Sequence, residues 1–354
     1  QGKRTDLEKT PLRLTFKDGM RSAYIQELQD YMHMPLSQFS ARVFYNKDLY
    51  KKLTGRDDPP TEYRDFISVC ELIRSQKTAQ GKSYIPICAA QDSMWAWESM
   101  MFDPFSYGAV RKADFNRDGI VSADELYAAM KSEMLSFNFP PIKARYKILR
   151  EVTSYFPLGF TGLARDDSVF QFAQQRGVFL STGTWDALSL IDQAKGKFEV
   201  GVMHFPMPKS DDPEYGPYLE GPKYEQIELG FPMGITRTCK HQDIALDFLF
   251  FLVGKKQNED LNREMGWIPS VSGAKTDPFF DVFAPQLEGV YGTLNIKQLG
   301  GEVRNRYDQL YSLYKSNQMS YDDFVGAFEP FYKERGRKDW EETERNWRRK
   351  MLTN

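Results

Sequence analysis

The sequence is poor in the residues that announce chemistry. Its 354 residues include only three histidines, His33, His204 and His241. They stand alone, with no H-E-x-x-H and no regular metal spacing, so each reads as structural or exposed. The cysteines also number three, Cys70, Cys88 and Cys239. An odd count without C-x-x-C pairs argues against a full disulfide framework and against a zinc site. Excess positive charge is missing too: 47 Lys and Arg face 49 Asp and Glu, for a net charge of −2. That removes the electrostatic case for nucleic acid. The one basic stretch, Arg345–Lys350, shares a helical pattern with Glu341, Glu342 and Glu344 and reads as a solvated face. No apolar run reaches the roughly 18 residues needed to span a membrane. Also absent are a G-x-S-x-G elbow, a P-loop, a dinucleotide fingerprint and internal repeats. The carboxylates leave a glycosidase pair open, since that chemistry needs only two of them at the right separation. No signal peptide is visible, and the polar opening QGKRTDLEKT is expected of a processed or truncated form.

What is present centres on Asp114–Glu125, DFNRDGIVSADE. Asp114, Asn116, Asp118 and Ser122 put side-chain oxygens at loop positions 1, 3, 5 and 9. Gly119 fills the sharp turn at position 6, Ile120 offers a backbone carbonyl, and Glu125 supplies a terminal carboxylate. A hard cation such as Ca²⁺ takes six to eight oxygens, and this spacing supplies them. The plainer reading is a surface loop rich in Asp and Asn, but all the constrained positions agree. Ala123–Leu135 follows with Leu126, Met130 and Met134 on one helical face. Pro104 and Gly108 interrupt the preceding segment, which speaks against a long incoming helix. No second loop of this kind occurs, so the expectation is one structural calcium site inside something larger.

Periodicity gives an α/β chain. Ile25, Leu28, Tyr31 and Met32 have weak helical spacing, and Ala41–Phe44 is a short apolar run. Thr61 can cap a helix whose Phe66, Val69, Cys70 and Ile73 share a face, which makes Cys70 a core residue. Tyr84–Ala89, Val178–Thr182, Phe198–Phe205 and Gly230–Thr236 read as strands. Ile142–Tyr155, Asp167–Arg176 and the strongly apolar Gln242–Val253 read as helices, and the chain beyond Ile296 is helical and charged.

The tryptophans say most about a ligand. Trp95 and Trp97 follow the Tyr84–Ala89 strand, and Trp185 follows Val178–Thr182. In α/β sheets ligands collect at the carboxyl ends of strands. An indole there suits the apolar face of a sugar ring, with Gln91, Asp92 and Asp186 close in sequence to bond hydroxyls. Trp97 fits a core position better. Trp185, after a glycine and beside an aspartate, favours the ligand.

Several segments, taken in order, resemble the extracellular solute-binding proteins of ABC importers, in the branch that carries sugars and oligosaccharides. ARVFYNKDLYKKLTG followed by PPTEYRDF is similar to the family's YNKD strand and helix. FQFAQQRGVFLSTGTWD is similar to its G-x-W segment, and FEVGVMHFPMP, GFPMGITRTCKHQDIALDFLFFLVG and GWIPS follow as its later pieces. The resemblance runs from about Ala41 to Ser320, and its specificity lies in the ordered set. It implies a two-lobe, periplasmic-binding-protein-like (type II) α/β fold, hinged on its ligand and doing no chemistry. Trp185 matches the family's stacking tryptophan, the 91–97 segment a ligand-facing turn, and Trp267 a position near the cleft.

Members carry a longer stretch ahead of YNKD, so the resemblance implies either a truncated chain or a shortened first lobe, incomplete in both cases. The expected division is 1–44 as the first-lobe remnant and crossing strand, 45–225 as the second lobe holding calcium loop 114–125, 226–295 as a further first-lobe segment, and 296–354 as C-terminal helices. The resemblance implies a periplasmic or extracellular monomer that binds a carbohydrate and hands it to permease subunits. The alternatives are a secreted, calcium-supported glycoside hydrolase or lyase, and a calcium-dependent interaction module.

Overall fold

The structure, a computed structural model, describes residues 10–25, 30–225, 227–289, 292–294 and 301–353. Its strands are β1 Tyr24–Ile25, β2 Asp30–Tyr31, β3 Met34–Phe39, β4 Ala41–Asn46, β5 Ile85–Cys88, β6 Ile120–Val121, β7 Gly177–Gly183, β8 Val200–Met203, β9 Glu228–Met233, β10 Ile268–Pro269 and β11 Thr293–Leu294. The helices are α1 Lys47–Thr54, α2 Tyr63–Ser75, α3 Met94–Met101, α4 Asp103–Ala113, α5 Ala123–Lys131, α6 Pro140–Thr153, α7 Arg165–Ala173, α8 Thr184–Ala194, α9 Gln242–Leu252, α10 Lys255–Met265, α11 Gly301–Lys315 and α12 Tyr321–Thr353.

The chain divides into two compact units. Unit 1 takes Gln1–Arg42, Thr182–Lys195 and Glu225–Leu287, and unit 2 takes Val43–Ser181, Gly196–Tyr224 and Glu288–Asn354. Two segments fall differently from the sequence division. The α8 segment, read with 45–225, groups with unit 1, and the helices beyond residue 296 group with unit 2 instead of standing apart.

Unit 1 is built on a three-stranded antiparallel sheet, order β10-β3-β9, in register with Ser37 opposite Gly230 and Gln38 opposite Ile268. Leu36 and Leu229 turn to one face, where Phe16, Met20, Val253 and Val271 cover them. Helix α10 is polar on average, yet it buries Asn258 and Asn262, whose amides both donate to the Leu36 carbonyl at 2.9 Å. Tyr24–Ile25 and Asp30–Tyr31 pair as a small antiparallel ladder, β1 with β2, where the spacing of Ile25 and Tyr31 suggested a helix. Leu28 lies outside the described residues.

Helix α9 stands out. Of its apolar side chains only Leu249 is buried, while Ile244, Phe248 and Phe251 are 63%, 52% and 57% exposed. An apolar surface of this kind drives association. The expected result is that this 354-residue chain self-associates in sedimentation as its concentration rises, and that Phe248→Glu with Phe251→Glu suppresses it. A wild-type chain that stays monomeric at high concentration removes α9 as a sticky surface.

Unit 2 carries a four-stranded sheet, order β5-β7-β4-β8, with β5 parallel to β7 and β4 antiparallel to β8. Every residue of β4 and β7 is buried, the mark of strands covered on both faces. Helix α2 lays Phe66, Val69, Cys70 and Ile73 on this sheet; its N-cap is Glu62, which makes no side-chain cap, so Thr61 does not serve. A second core joins α6, α11 and α12 through rings, with Tyr146 against Tyr311 at 5.4 Å and Phe324 stacked on Phe328 at 6.0 Å. Pro104 does not break the chain before the acidic loop. It lies in the first turn of α4, where a missing N–H costs nothing, and Gly108 lets the Glu220 carboxylate approach that helix.

Candidate functional site

Trp185 sits where β7 gives way to α8. Its ring folds back over Gly183, where a Cβ would fall 2.2 Å from the indole, so a larger residue there would displace the ring. The Phe39 ring meets the indole edge-on, with centroids 5.9 Å apart, and Phe39 itself lies across Gly230. The turn is held from both sides. The Thr184 amide donates to the Ser40 carbonyl at 3.0 Å, and the Thr182 hydroxyl donates to Asp186. Asp186 is buried, so it braces the turn that presents the half-buried Trp185.

Trp267 lies on the same unit. Helix α10 ends at Gly266, whose φ of +67° is the left-handed cap that glycine favours, and the Trp267 amide donates to the Asn262 carbonyl at 2.8 Å. Phe231 packs on the indole at 4.7 Å. Leu188, one turn of α8 beyond Trp185, rests on Gly266, so the two tryptophans flank one contact within unit 1. Beside Trp267 a cavity of about 500 Å³ opens, within the range of small-molecule sites.

The other expected contacts belong to unit 2. Gln91 and Asp92 form an exposed turn just past β5, fixed by the Ala90 amide donating to Ser93 Oγ at 3.0 Å. Trp95, on α3, is 39% exposed, while Trp97 is fully buried against Phe205 and Phe66. Trp97 is thus a core residue, as its sequence position suggested.

The acidic loop links α4 to α5. Asp114 accepts from the amides of Asp118 and Gly119 at 3.1 and 2.8 Å, and Asn116 Oδ1 accepts from Asp118 at 2.9 Å. Gly119, at φ +85°, makes the turn. Glu125 reaches back across the loop. One oxygen accepts from Phe115 and Asn116 at 2.9 and 3.0 Å, and the other from the Ser122 amide and hydroxyl at 3.0 and 2.8 Å. Ile120 lies on β6, which pairs in parallel with β11. After the loop Leu126 and Met130 are buried, but Met134 lies past the end of α5 and is 41% exposed. Among the described residues no three His, Cys, Asp or Glu side chains are gathered as a metal cluster. The loop's donors are nonetheless all oxygen, the set a hard cation takes, and a carboxylate oxygen bonded to an amide keeps a lone pair for an ion.

The sequence profile of the bacterial extracellular solute-binding proteins matches residues 8–282. The chain belongs to that family. This solute-binding protein is similar in fold to a chitin oligosaccharide binding protein (TM-score 0.60, 16% identity), covering 94% of this chain and 77% of the other. It is also similar to a family 1 extracellular solute-binding protein from Bifidobacterium longum subsp. infantis (0.57, 19%, covering 92% and 79%). A third is a sugar transporter from Bacillus licheniformis in complex with stachyose (0.59, 14%, covering 93% and 80%). No curated relative matches the sequence. The fold is the mixed α/β architecture of the two-lobe solute-binding proteins. The family is made of binding proteins, so this solute-binding protein is not an enzyme, and the hydrolase and lyase reading falls. No helix among the described residues is long and apolar enough to cross a membrane.

Two contributors escaped the sequence reading. Phe39 had no signal beyond being an aromatic at a strand end. Asn262 looked like any polar residue of a charged helix, and only burial sets it apart.

Proposed function

We propose that this solute-binding protein binds a sugar or oligosaccharide outside the cytoplasm, in the periplasm or at the cell surface, and delivers it to an ABC importer permease. The observation that carries this reading is Trp185, a half-buried indole laid over Gly183 at the carboxyl end of a buried strand. A rigid aromatic at that place offers a sugar its flat, weakly polar face. Trp185, Asp186 and Trp267 are the proposed contacts on unit 1, Asp186 by holding the turn; Gln91, Asp92 and Trp95 are those on unit 2. The sugars named for the chitin oligosaccharide and stachyose proteins support the substrate class. The test is titration of Trp185→Ala with oligosaccharides such as stachyose. Losing one stacked ring should weaken affinity by about 1–3 kcal/mol, on the analogy of base stacking. Unchanged affinity in a folded variant takes Trp185 out of the site.

The acidic loop has a separate role in this reading. Asp114, Asn116, Asp118, the Ile120 carbonyl, Ser122 and Glu125 hold one Ca²⁺, which ties α4 to α5 and supports stability without touching the sugar. Spacing and donor type support the assignment.

A further inference from the structure

The acidic loop is braced by chain from far beyond it. In the calcium reading above, Ile120 offers the cation its backbone carbonyl. A carbonyl is aimed by the chain that carries it, not by a rotamer. That chain is β6, only two residues long, and a ladder so short holds its direction only when packed against something more. No second loop of this kind exists in the sequence to support it. The partner is β11 instead, with Thr293 opposite Ile120 and Leu294 opposite Val121, in parallel. Val121 and Leu294 are both buried.

The same stretch reaches the loop a second way. Just ahead of β11, an added Cβ on Gly292 would fall 3.2 Å from both the Tyr107 ring and Val110 on α4, so the chain lies flush on that helix. The Val110 carbonyl accepts the amide of Asp114, the first oxygen donor of the loop, at 2.8 Å. Residues 292–294 therefore meet the loop at its seventh position through the ladder and at its first position through α4. The outgoing helix is held by the C-terminal chain as well, with Tyr127 of α5 against Tyr332 of α12 at 6.2 Å.

We infer that β11 is the partner strand of the calcium loop: Leu294, anchored beside Val121, is a positioning residue for the Ile120 carbonyl, and bound Ca²⁺ in turn fastens β11. The inference rests on the calcium reading above. Linkage makes the two effects equal, since whatever factor the paired strand adds to calcium affinity, calcium adds to the pairing.

Calorimetric titration of the full chain with CaCl₂, after EGTA and desalting, tests it. Leu294→Asn removes the anchor without adding charge, and Gly292→Val pushes the strand off α4 from the other side. Each should weaken Ca²⁺ binding about tenfold or more. Leu49→Ala, a cut in the core of the same unit, controls for general destabilisation and should leave affinity within about twofold. The reciprocal measurement needs no variant. Ca²⁺ should slow hydrogen exchange across residues 292–294 about tenfold or more beyond any slowing at β8, which reports stabilisation of unit 2 at large. A wild type that binds no Ca²⁺ overturns the calcium reading and this inference with it. Ca²⁺ binding that both β11 variants leave within about twofold, in chains shown folded by circular dichroism, overturns this inference alone. So does exchange at 292–294 that Ca²⁺ slows no more than at β8.

Discussion

Arg42→Ala should lower the stability of unit 1 by about 3–5 kcal/mol, the cost of breaking a buried ion pair by removing one partner. Arg42 is fully buried, and its guanidinium meets both Glu225 oxygens, at 3.3 and 3.0 Å. It also donates to the carbonyls of Val282 at 2.9 Å and Ala41 and Ala284 at 2.7 Å, and to Ser40 Oγ at 3.0 Å. One side chain therefore ties three separate stretches of unit 1, each close to a point where the chain enters or leaves it. Burial pushes the Arg42 pKa down and Glu225 pushes it back up. The group stays charged because its ordinary value is so high.

An isolated buried pair can often be exchanged for apolar residues at little cost, but here the carbonyls would lose their donor as well. Arg42→Met with Glu225→Met should therefore stay well below the wild type, and Glu225→Gln should be the mildest change. Denaturant unfolding, followed by a probe on unit 1, is the measurement. A loss under about 1 kcal/mol for Arg42→Ala, the size of an ordinary surface change, would show that the clamp contributes little.

Chelation should have the second large effect. If the loop binds Ca²⁺ only when folded, stability rises as RT ln(1 + [Ca]/Kd), about 2.7 kcal/mol at a hundredfold excess over Kd. EGTA should then lower the melting temperature and Mg²⁺ should restore it poorly, because Mg²⁺ demands a tighter octahedral shell and gives up its water reluctantly.

The geometry refines what the variants should do. Glu125 already accepts four hydrogen bonds from the loop, so Glu125→Ala should cost stability even in EGTA. Asn116→Ala, which gives up only two exposed bonds, one from the Asp118 amide and one to the Asp118 carboxylate, should mostly copy the EGTA result. Sugar affinity should be unaffected in the folded protein. A melting point indifferent to EGTA means the loop holds no calcium, and sugar binding lost on chelation without unfolding would make calcium part of the ligand site.

Much of the fold was legible in order along the chain, because local pattern and burial agree there. Phe66, Val69, Cys70 and Ile73 recur at helical spacing and face the core of unit 2, and the apolar Val178–Thr182 run is a strand buried throughout. Where pattern and context part, the sequence misleads. Ile25, Tyr31 and Met32 have helical spacing, yet Tyr24 faces Tyr31 across a two-strand ladder, with the rings 5.2 Å apart. Pro104 looked like a helix breaker because its harm depends on whether it stands in the first turn or the middle, and only the folded chain decides that.

The sequence by itself determined the family, through an ordered series of segments, and the oxygen-rich spacing of Asp114–Glu125. It also determined that an aromatic follows the glycine at the end of β7. Those are properties of neighbours along the chain. Tertiary structure alone decided that Trp185 is half-buried, that α9 exposes its phenylalanines, that Arg42 clamps Glu225, and that the Asn262 oxygen is buried without a partner. Each of these depends on which distant residues arrive to cover a side chain. Arg42 meets a carboxylate 183 residues away, and Asn262 meets a carbonyl 226 residues away. Burial and pairing at that range are set by the packing of whole elements, and no local periodicity encodes them.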